Sequence, residues 1–239
     1  MTDARIALVT GASRGIGRAA ARLLARQGWR VVCVARSQKA LESLDDEIKA
    51  DGKGEATLAP LDLRDYESID KLGAALYERF GKLDGLAACA GALGQLTPAH
   101  QASPALMEET TAVNYLANQR LIRSMHPLLR ASDAGRAVFV TSGVAKNPRA
   151  YWAPYAASKA ALDALVICYA QEIAITPIKA NLYNPGPTAT GMRAKAFPGE
   201  DPATLAQPDD VAPQLVALLS PACDLNGARV QYEPAREKH

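Results

Sequence analysis

The chain has 239 residues, 49% of them hydrophobic, which is enough apolar material for one sizeable core. A net charge of +2 with 22% charged residues excludes the strongly basic surface of a nucleic-acid or membrane-surface binder. We therefore expect one domain over residues 1–239 that acts on a small molecule, without nucleic acid or membrane as partner.

The N-terminus and the cysteines bear on the cellular compartment. Residues 1–5 lack a signal-peptide pattern, and no apolar run approaches the roughly 20 residues that span a bilayer. The four cysteines are widely spaced without a Cys-x-x-Cys pair, which indicates neither a disulfide framework nor a zinc site. We expect a soluble cytoplasmic protein with reduced cysteines and no metal.

A glycine-rich turn at residues 10–17, Thr-Gly-Ala-Ser-Arg-Gly-Ile-Gly, follows a short apolar run at residues 6–9 and precedes helical periodicity. The N–H groups at such a helix start are unpaired and the helix dipole is positive, which favours a phosphate. Gly11, Gly15 and Gly17 have no Cβ, so the backbone can turn sharply and a pyrophosphate can approach. The spacing differs from Gly-x-Gly-x-x-Gly, and a turn that uses glycine for geometry alone is the alternative.

The second predicted strand, residues 30–35, ends at a position that discriminates between dinucleotides. In dinucleotide-binding folds an acidic residue about 20 positions after the glycine turn binds the ribose 2′-OH of NAD, whereas arginine accommodates a 2′-phosphate. Arg36 and Ser37 stand here without a carboxylate, and Arg14 can reach the same neighbourhood. The sequence predicts a preference for NADP(H), the alternative being two solvated surface arginines.

Strands and helices then alternate. The patterns predict a helix over 38–50, a strand over 55–60, a helix over 65–80 and a strand over 83–90. Short loops between them favour a parallel sheet with helices on both faces, whose ligand lies beyond the carboxyl ends of the strands. The residues at that edge are the glycine turn, Arg36, Asp62, Ala90, Gly91 and Ser142.

A long helix is predicted over 103–130, with serine as N-cap and proline at its first position. Asn114 lies inside it, and an interior asparagine is either a tolerated surface residue or part of a site. A strand over 136–141 places Ser142 at its tip, and a loop over 144–154 follows it.

Tyr155 and Lys159 lie four residues apart near the start of the next predicted helix and therefore share one face. A nearby ammonium favours the phenolate, which would bring a phenol of pKa near 10 closer to acid–base work at neutral pH. The Ser142 hydroxyl could hold a carbonyl oxygen beside it. A Tyr-x-x-x-Lys pair can arise by chance. This pair indicates a catalytic role because it lies at the carboxyl edge of the predicted sheet, where the cofactor is expected.

The C-terminal part predicts two more strands and one more helix. The strands cover 177–183 and 228–232, and the helix covers 208–219. Between them, residues 184–190 turn back over the same edge, and residues 190–208 are predicted to form a mobile lid.

These motifs resemble the short-chain dehydrogenase/reductase family, in its single-domain branch, over essentially the whole chain. The tetrad Asn114, Ser142, Tyr155 and Lys159 matches the family's catalytic residues in type and order, with thirteen positions from Ser142 to Tyr155. Residues 192–202 resemble a bacterial oxidoreductase subgroup of it. The expected cofactor-binding residues are Gly11, Ser13, Arg14, Gly15, Ile16, Gly17, Arg36, Ser37, Asp62, Leu63, Ala90, Gly91, Tyr155, Lys159, Pro185, Gly186, Thr188 and Thr190.

The resemblance implies hydride transfer between NADP(H) and a carbonyl or alcohol. Tyr155 would be the acid or base and Ser142 would hold the substrate oxygen. Lys159 would bind the nicotinamide ribose and lower the pKa of Tyr155, while Asn114 would position a water leading protons to Lys159. The implied fold is a Rossmann-like doubly wound sheet of seven mostly parallel strands in the order 3-2-1-4-5-6-7. The implied assembly is a homodimer or homotetramer.

One motif departs from the family pattern. Asn-Asn-Ala-Gly is usual after the fourth strand, whereas this chain has Ala-Cys-Ala-Gly at residues 88–91. The loss of two side-chain amides bears on tight cofactor binding, and it supports an alternative function as a cofactor-binding scaffold or sensor with little turnover. The substrate is not determined, although Tyr151, Trp152, Met192 and Phe197 suggest a partly apolar pocket if they are not ordinary packing residues.

Overall fold

A computed structural model describes residues 4–234. Its strands form one seven-stranded sheet in the order β3-β2-β1-β4-β5-β6-β7, and every neighbouring pair is parallel. This confirms the predicted fold class and strand order. The strands are β1 (Ile6–Thr10), β2 (Arg30–Ala35), β3 (Glu55–Pro60), β4 (Gly85–Ala88), β5 (Arg136–Val140), β6 (Lys179–Asn184) and β7 (Arg229–Gln231).

Helices cover both faces of the sheet. They are α1 (Gly15–Arg26), α2 (Gln38–Ala50), α3 (Tyr66–Phe80), α4 (Pro104–Thr111), α5 (Ala117–Ala131), α6 (Gly143–Lys146), α7 (Ala153–Glu172), α8 (Gly191–Ala196) and α9 (Pro208–Ala217). One core cluster joins the sheet to α3, α5 and α7, and a second joins its other face to α1, α2 and α9. Within residues 4–234, none of the helices combines the length and the apolarity that crossing a membrane would need.

Burial on both faces explains the apolar runs of the central strands. In β1, Leu8 packs into the cluster with α3, α5 and α7, whereas Ala7 and Val9 pack into the cluster with α1, α2 and α9. Successive side chains point to opposite faces, so a strand between two helical layers needs apolar residues at every position.

Side-chain caps begin two helices as their sequences predict. Asp65 Oδ1 accepts the Ser68 N–H at 3.1 Å before α3, and Ser103 Oγ accepts the Leu106 N–H at 3.2 Å before α4. Each cap satisfies a backbone donor that has no partner inside the helix.

Most predicted elements begin and end within two residues of the observed ones, but two regions differ. The helix predicted over 103–130 is divided into α4 and α5 by a π-helical turn at Ala112–Leu116. The loop predicted over 144–154 contains the short helix α6, because Ser142 Oγ accepts the Val144 N–H at 3.4 Å and starts a turn. Both differences lie at the carboxyl edge of the sheet, where the predicted site residues meet.

Candidate active site

The glycine turn packs closely against the neighbouring loops. A Cβ added to Gly11, whose φ is +69°, would lie 2.9 Å from Ala90 Cα, and one added to Gly17 would lie 2.5 Å from Gly11 O. At Gly15, with φ +57°, the Cβ would lie 3.3 Å from Thr190 Cγ2. The turn therefore needs glycine for its conformation and also for the close approach of the segments after β4 and β6.

The start of α1 is shaped to receive an anion. Arg14 precedes the helix and makes no capping hydrogen bond to its first turn within residues 4–234, and that turn carries no acidic side chain. Arg18, in the first turns of α1, donates from Nη1 to Ser13 O at 3.3 Å, and this bond ties the glycine turn to the helix that follows it. Ile16 packs against the core. The unpaired N–H groups and positive dipole of α1 thus face the carboxyl edge of the sheet.

Charged residues gather at the ends of β2 and β3. Arg36 is exposed and forms no ion pair with a carboxylate of residues 4–234, whereas Ser37 caps α2 by accepting the Ala40 N–H at 3.3 Å. Asp62 lies beside them and is held by Arg64, whose Nη2 is 2.6 Å from Oδ2. The Arg64 hydrogen bonds, and more weakly the Arg36 charge, lower the pKa of the Asp62 carboxyl. Leu63 is buried.

Tyr155 and Lys159 lie on one face of α7 and turn towards the tip of β5. Both side chains are buried, and Lys159 Nζ donates to Val140 O at 2.8 Å. The same ammonium lies 5.9 Å from the centre of the Tyr155 ring. Ser142 stands at the strand tip facing the phenol. The structure therefore brings together the helix face that carries Tyr155 and Lys159 and the strand tip that carries Ser142.

Burial is the largest cause of the pKa shifts of Tyr155 and Lys159. It raises the pKa of the Tyr155 phenol to about 12, and the Ser142 hydroxyl opposes only part of the rise. Burial also lowers the pKa of the Lys159 amine to about 8. The net shift of the Tyr155 pKa is therefore upward, opposite in direction to the lowering predicted from its spacing with Lys159, because desolvation of the phenol is the largest contribution.

Asn114 is fully buried in the π-helical turn, so its interpretation as a surface residue is wrong. Its Oδ1 accepts the Ala92 N–H at 2.8 Å, and its Nδ2 donates to Ala92 O at 2.8 Å and to Ser158 Oγ at 2.9 Å. Asn118 Nδ2 donates to the main-chain oxygen of Asn114 at 2.9 Å. The amide therefore fastens the loop after β4 to α7, and a Cβ on Gly91 would lie 3.3 Å from Asn114 Oδ1.

The segment after β6 returns over the same edge. Gly186 has φ +66° and donates its N–H to Asn184 Oδ1 at 3.2 Å, and Thr188 Oγ1 donates to Pro185 O at 3.2 Å. Thr190 caps α8 by accepting the Arg193 N–H at 3.2 Å. These bonds fix the backbone where a nicotinamide carboxamide is expected.

An apolar wall adjoins the Tyr155 phenol. It consists of Leu93, Leu96, Val144, Trp152, Tyr155, Ala156, Met192 and Ala196. The Trp152 ring lies edge-on to Tyr155, with centroids 5.9 Å apart, and 5.8 Å from Phe197. Arg193 stacks 3.7 Å above Phe197 and pairs with Glu200, so the predicted lid packs onto the site through α8.

Of the four residues predicted to line this pocket, Trp152 and Met192 belong to the apolar cluster and Phe197 contacts it through Trp152, but Tyr151 lies elsewhere. Tyr151 is 60% exposed and lies outside the apolar cluster, with a φ of +72° that few non-glycine residues adopt. Its main-chain oxygen accepts the Thr97 N–H at 3.0 Å. The backbone of Tyr151, and not its ring, therefore organises the neighbouring loop.

Comparison with known proteins decides the family. Residues 5–201 match the family model described as short chain dehydrogenase, and this range includes the tetrad and the glycine turn. The chain belongs to the short-chain dehydrogenase/reductase family. The protein named uncharacterized oxidoreductase YciK, of Escherichia coli strain K12, is 37% identical over 217 residues, which are 90% of this chain and 86% of that relative.

Two similar structures of the family were solved with a bound dinucleotide. A short chain dehydrogenase from Shigella flexneri 2a strain 301, complexed with NADP, superposes with a TM-score of 0.89 at 35% identity, covering 95% of this chain and 96% of that one. A short chain dehydrogenase from Escherichia coli CFT073, complexed with NADPH, gives a TM-score of 0.90 at 36% identity, covering 96% of this chain and 97% of that one.

The departure from the Asn-Asn-Ala-Gly pattern of this family replaces polar contacts with packing. Ala88 pairs with its strand neighbours inside the sheet, and Cys89 is half-buried against the core beside α1. Burial raises the pKa of the Cys89 thiol to about 12, so the thiol is neutral at physiological pH. The Ala90 N–H still donates to Thr10 Oγ1 at 3.2 Å, which preserves the approach of this loop to the glycine turn.

Several residues near the site escaped sequence reasoning. Ser158 accepts a hydrogen bond from the Asn114 amide, and Arg64 donates to the Asp62 carboxylate. Asp163 accepts from Thr141, and Arg229 donates to the main-chain oxygen of Ser142. Of these residues, only Arg64 could have been found from the sequence, since a positive charge two positions after Asp62 indicates an ion pair between them. The others are polar residues in an apolar helix or at a short edge strand, and their partners are distant in sequence.

Proposed function

We propose that this protein is an NADP(H)-dependent oxidoreductase that interconverts a carbonyl group and an alcohol on a small or medium, partly apolar substrate. The observation that carries the proposal is the convergence of buried Tyr155 and Lys159 with Ser142 at the carboxyl edge of the sheet that also carries the glycine turn. A phenol, an amine and a hydroxyl at the carboxyl edge of a parallel sheet are suited to proton transfer at a substrate oxygen.

The residues of this edge fit a dinucleotide. The turn at Gly11, Gly15 and Gly17 and the uncapped start of α1 would hold the pyrophosphate, and Arg14 and Arg36 would bind the 2′-phosphate. The adenine would lie by Asp62 and Leu63, and the nicotinamide by Ala90, Gly91, Pro185, Gly186, Thr188 and Thr190. The NADP and NADPH complexes of the Shigella and Escherichia relatives support this choice of cofactor. The cofactor, when bound, donates or accepts a hydride at the substrate carbon.

Each tetrad residue would have a distinct task. The Ser142 hydroxyl would donate a hydrogen bond to the substrate oxygen, and Tyr155 would give its phenolic proton to that oxygen during reduction. A Tyr155 pKa of about 12 keeps the phenol protonated at neutral pH, which suits it as the proton donor when a carbonyl is reduced. Lys159 would bind the nicotinamide ribose and stabilise the phenolate left behind. Asn114 would act through its backbone, since its amide is engaged by Ala92 and Ser158.

NADPH oxidation tests the proposal. Purified protein, titrated with NADPH and NADH by fluorescence, is expected to bind NADPH more tightly and then to oxidise it with members of a panel of aldehydes, ketones and quinones. Tight NADPH binding without oxidation by any of these compounds would refute the oxidoreductase assignment. The scaffold alternative, which the altered motif at residues 88–91 favours, predicts a cellular phenotype that Tyr155→Phe leaves unchanged.

We also propose that residues 1–239 work as one cofactor-binding domain in a cytoplasmic homodimer or homotetramer. Exposed apolar side chains next to α5 and on α7, Leu116 and Ile167, support self-association, and the four unpaired cysteines support a reducing compartment. Sedimentation equilibrium should give a mass of two or four chains, and a monomer at micromolar concentration would contradict the assembly.

A further inference from the structure

Three consecutive residues at the tip of β5 are each held by a side chain from another element. Two of these side chains come from α7 and one comes from β7. Lys159 Nζ donates to Val140 O at 2.8 Å, Thr141 Oγ1 donates to Asp163 Oδ1, and Arg229 Nη2 donates to Ser142 O at 2.6 Å.

Asp163 and Arg229 also pair with each other. Arg229 Nη1 contacts Asp163 Oδ2, so one guanidinium bridges a carboxylate of α7 and the main-chain oxygen of Ser142. The two nitrogens of this planar group are set at a fixed angle, so the guanidinium makes a rigid bridge. A lysine ammonium, a single charge on a flexible stem, would not hold both partners at a fixed angle. Asp163 is buried, and a buried carboxylate needs such partners.

Asp163 continues the row of reactive side chains on α7. Tyr155, Lys159 and Asp163 are spaced by four residues and therefore lie on one face of the helix, which contacts the tip of β5. Arg229 is the first residue of the short edge strand β7 and pairs with Leu182 of β6. The last strand of the sheet thus reaches the backbone of Ser142 through the Arg229 side chain.

We propose that the Arg229–Asp163 ion pair positions Ser142 for the reaction. The backbone of Ser142 is held on its N-terminal side, where the Thr141 N–H donates to Tyr183 O at 2.8 Å, and Arg229 holds its carbonyl on the other side. With the backbone fixed on both sides of Ser142, its hydroxyl can change direction only by rotation about χ1. A displacement of about 1 Å in a catalytic group can cost about 100-fold in rate, so this restraint matters for the hydroxyl that faces Tyr155.

This inference rests on the proposed oxidoreductase function, and a double-mutant cycle with Ser142 tests it. Arg229→Met keeps the length of the side chain and removes its donors. We expect it to lower kcat with the best carbonyl substrate about 10- to 100-fold and to leave the Kd of NADPH unchanged. In a Ser142→Ala background, Arg229→Met should change kcat less than about twofold, because the group that it positions is already gone. Arg229→Lys, which keeps the charge without the fork, should recover only part of kcat.

Arg136→Met is the matched control. Arg136 is a buried arginine that, like Arg229, donates to main-chain oxygens, those of Cys223 at 2.9 Å and Pro221 at 2.7 Å, but it lies at the opposite end of β5. Its loss should lower Tm and leave kcat unchanged. If Arg229→Met lowers kcat as much in the Ser142→Ala background as alone, or if Arg136→Met lowers kcat equally, the pair only anchors β7 and the proposal is wrong.

A failure of the proposed function would be distinguishable. If the wild-type protein turns over no carbonyl compound, the function fails, and crystal structures of wild type and Arg229→Met then decide the positioning role. A Ser142 backbone that shifts in the variant supports the proposal, and one that stays in place overturns it.

Discussion

Asn114→Ala should be among the most destabilising substitutions near the site. The amide is fully buried and makes three hydrogen bonds, two to Ala92 and one to Ser158. At about 1 kcal/mol for each bond, and with the partners left buried, the free energy of unfolding should fall by about 3 kcal/mol. For a chain of 150 to 250 residues this corresponds to a decrease in Tm of roughly 6–12 °C.

Asn118→Ala is the control that isolates these bonds. Asn118 is also buried in the same helical segment, and the substitution removes the same atoms, but within residues 4–234 its amide makes one hydrogen bond, to Asn114 O. We expect a loss of about 1 kcal/mol and a decrease in Tm of roughly 2–4 °C. Scanning calorimetry of both variants measures the difference. Equal decreases in Tm would refute the argument that the Asn114 amide fastens the loop after β4 to α7.

Three further predictions concern activity and cofactor binding. Tyr155→Phe should lower kcat for carbonyl reduction by about 10² to 10⁴ while NADPH still binds, as steady-state kinetics and fluorescence titration would establish; an unchanged kcat would exclude Tyr155 as the proton donor. The Lys159 amine has a pKa of about 8, below its usual value, so its charge is lost and the reductive rate should fall as the pH rises through about 8. A kcat/KM profile that is flat through that pH would contradict a role for the ammonium. Arg36→Ala should weaken NADPH binding about 10- to 100-fold and leave NADH binding unchanged. Arg30→Ala, at the other end of β2, should alter neither Kd, and an equal effect of the two variants would argue against a 2′-phosphate site at Arg36.

The secondary structure was largely predictable because its signals are local. The apolar run of β1 reflects burial on both faces, and the caps at Asp65 and Ser103 satisfy donors within three residues of themselves. The π-helical turn at Ala112–Leu116 was not predicted, and the buried Asn114 amide inside it bonds the backbone of Ala92, 22 positions away, which no local pattern indicates.

The candidate site, too, was predictable from the sequence only in part. The glycine turn and the shared helix face of Tyr155 and Lys159 follow from residue type and helical spacing alone. The pKa of Tyr155 does not, because the desolvation that raises it to about 12 comes from elements packed around the phenol.

By itself, then, the sequence determined the alternation of strands and helices, the glycine turn and the shared helix face of Tyr155 and Lys159, since each depends on chemistry within a few residues. Only the tertiary structure decided that Arg229 would meet Ser142, 87 positions earlier, and that Asp163 would join them. Parallel strands bring distant segments to one edge of a sheet, and the polar groups that meet there depend on the order and register of the strands. No local pattern in the chain encodes such a meeting.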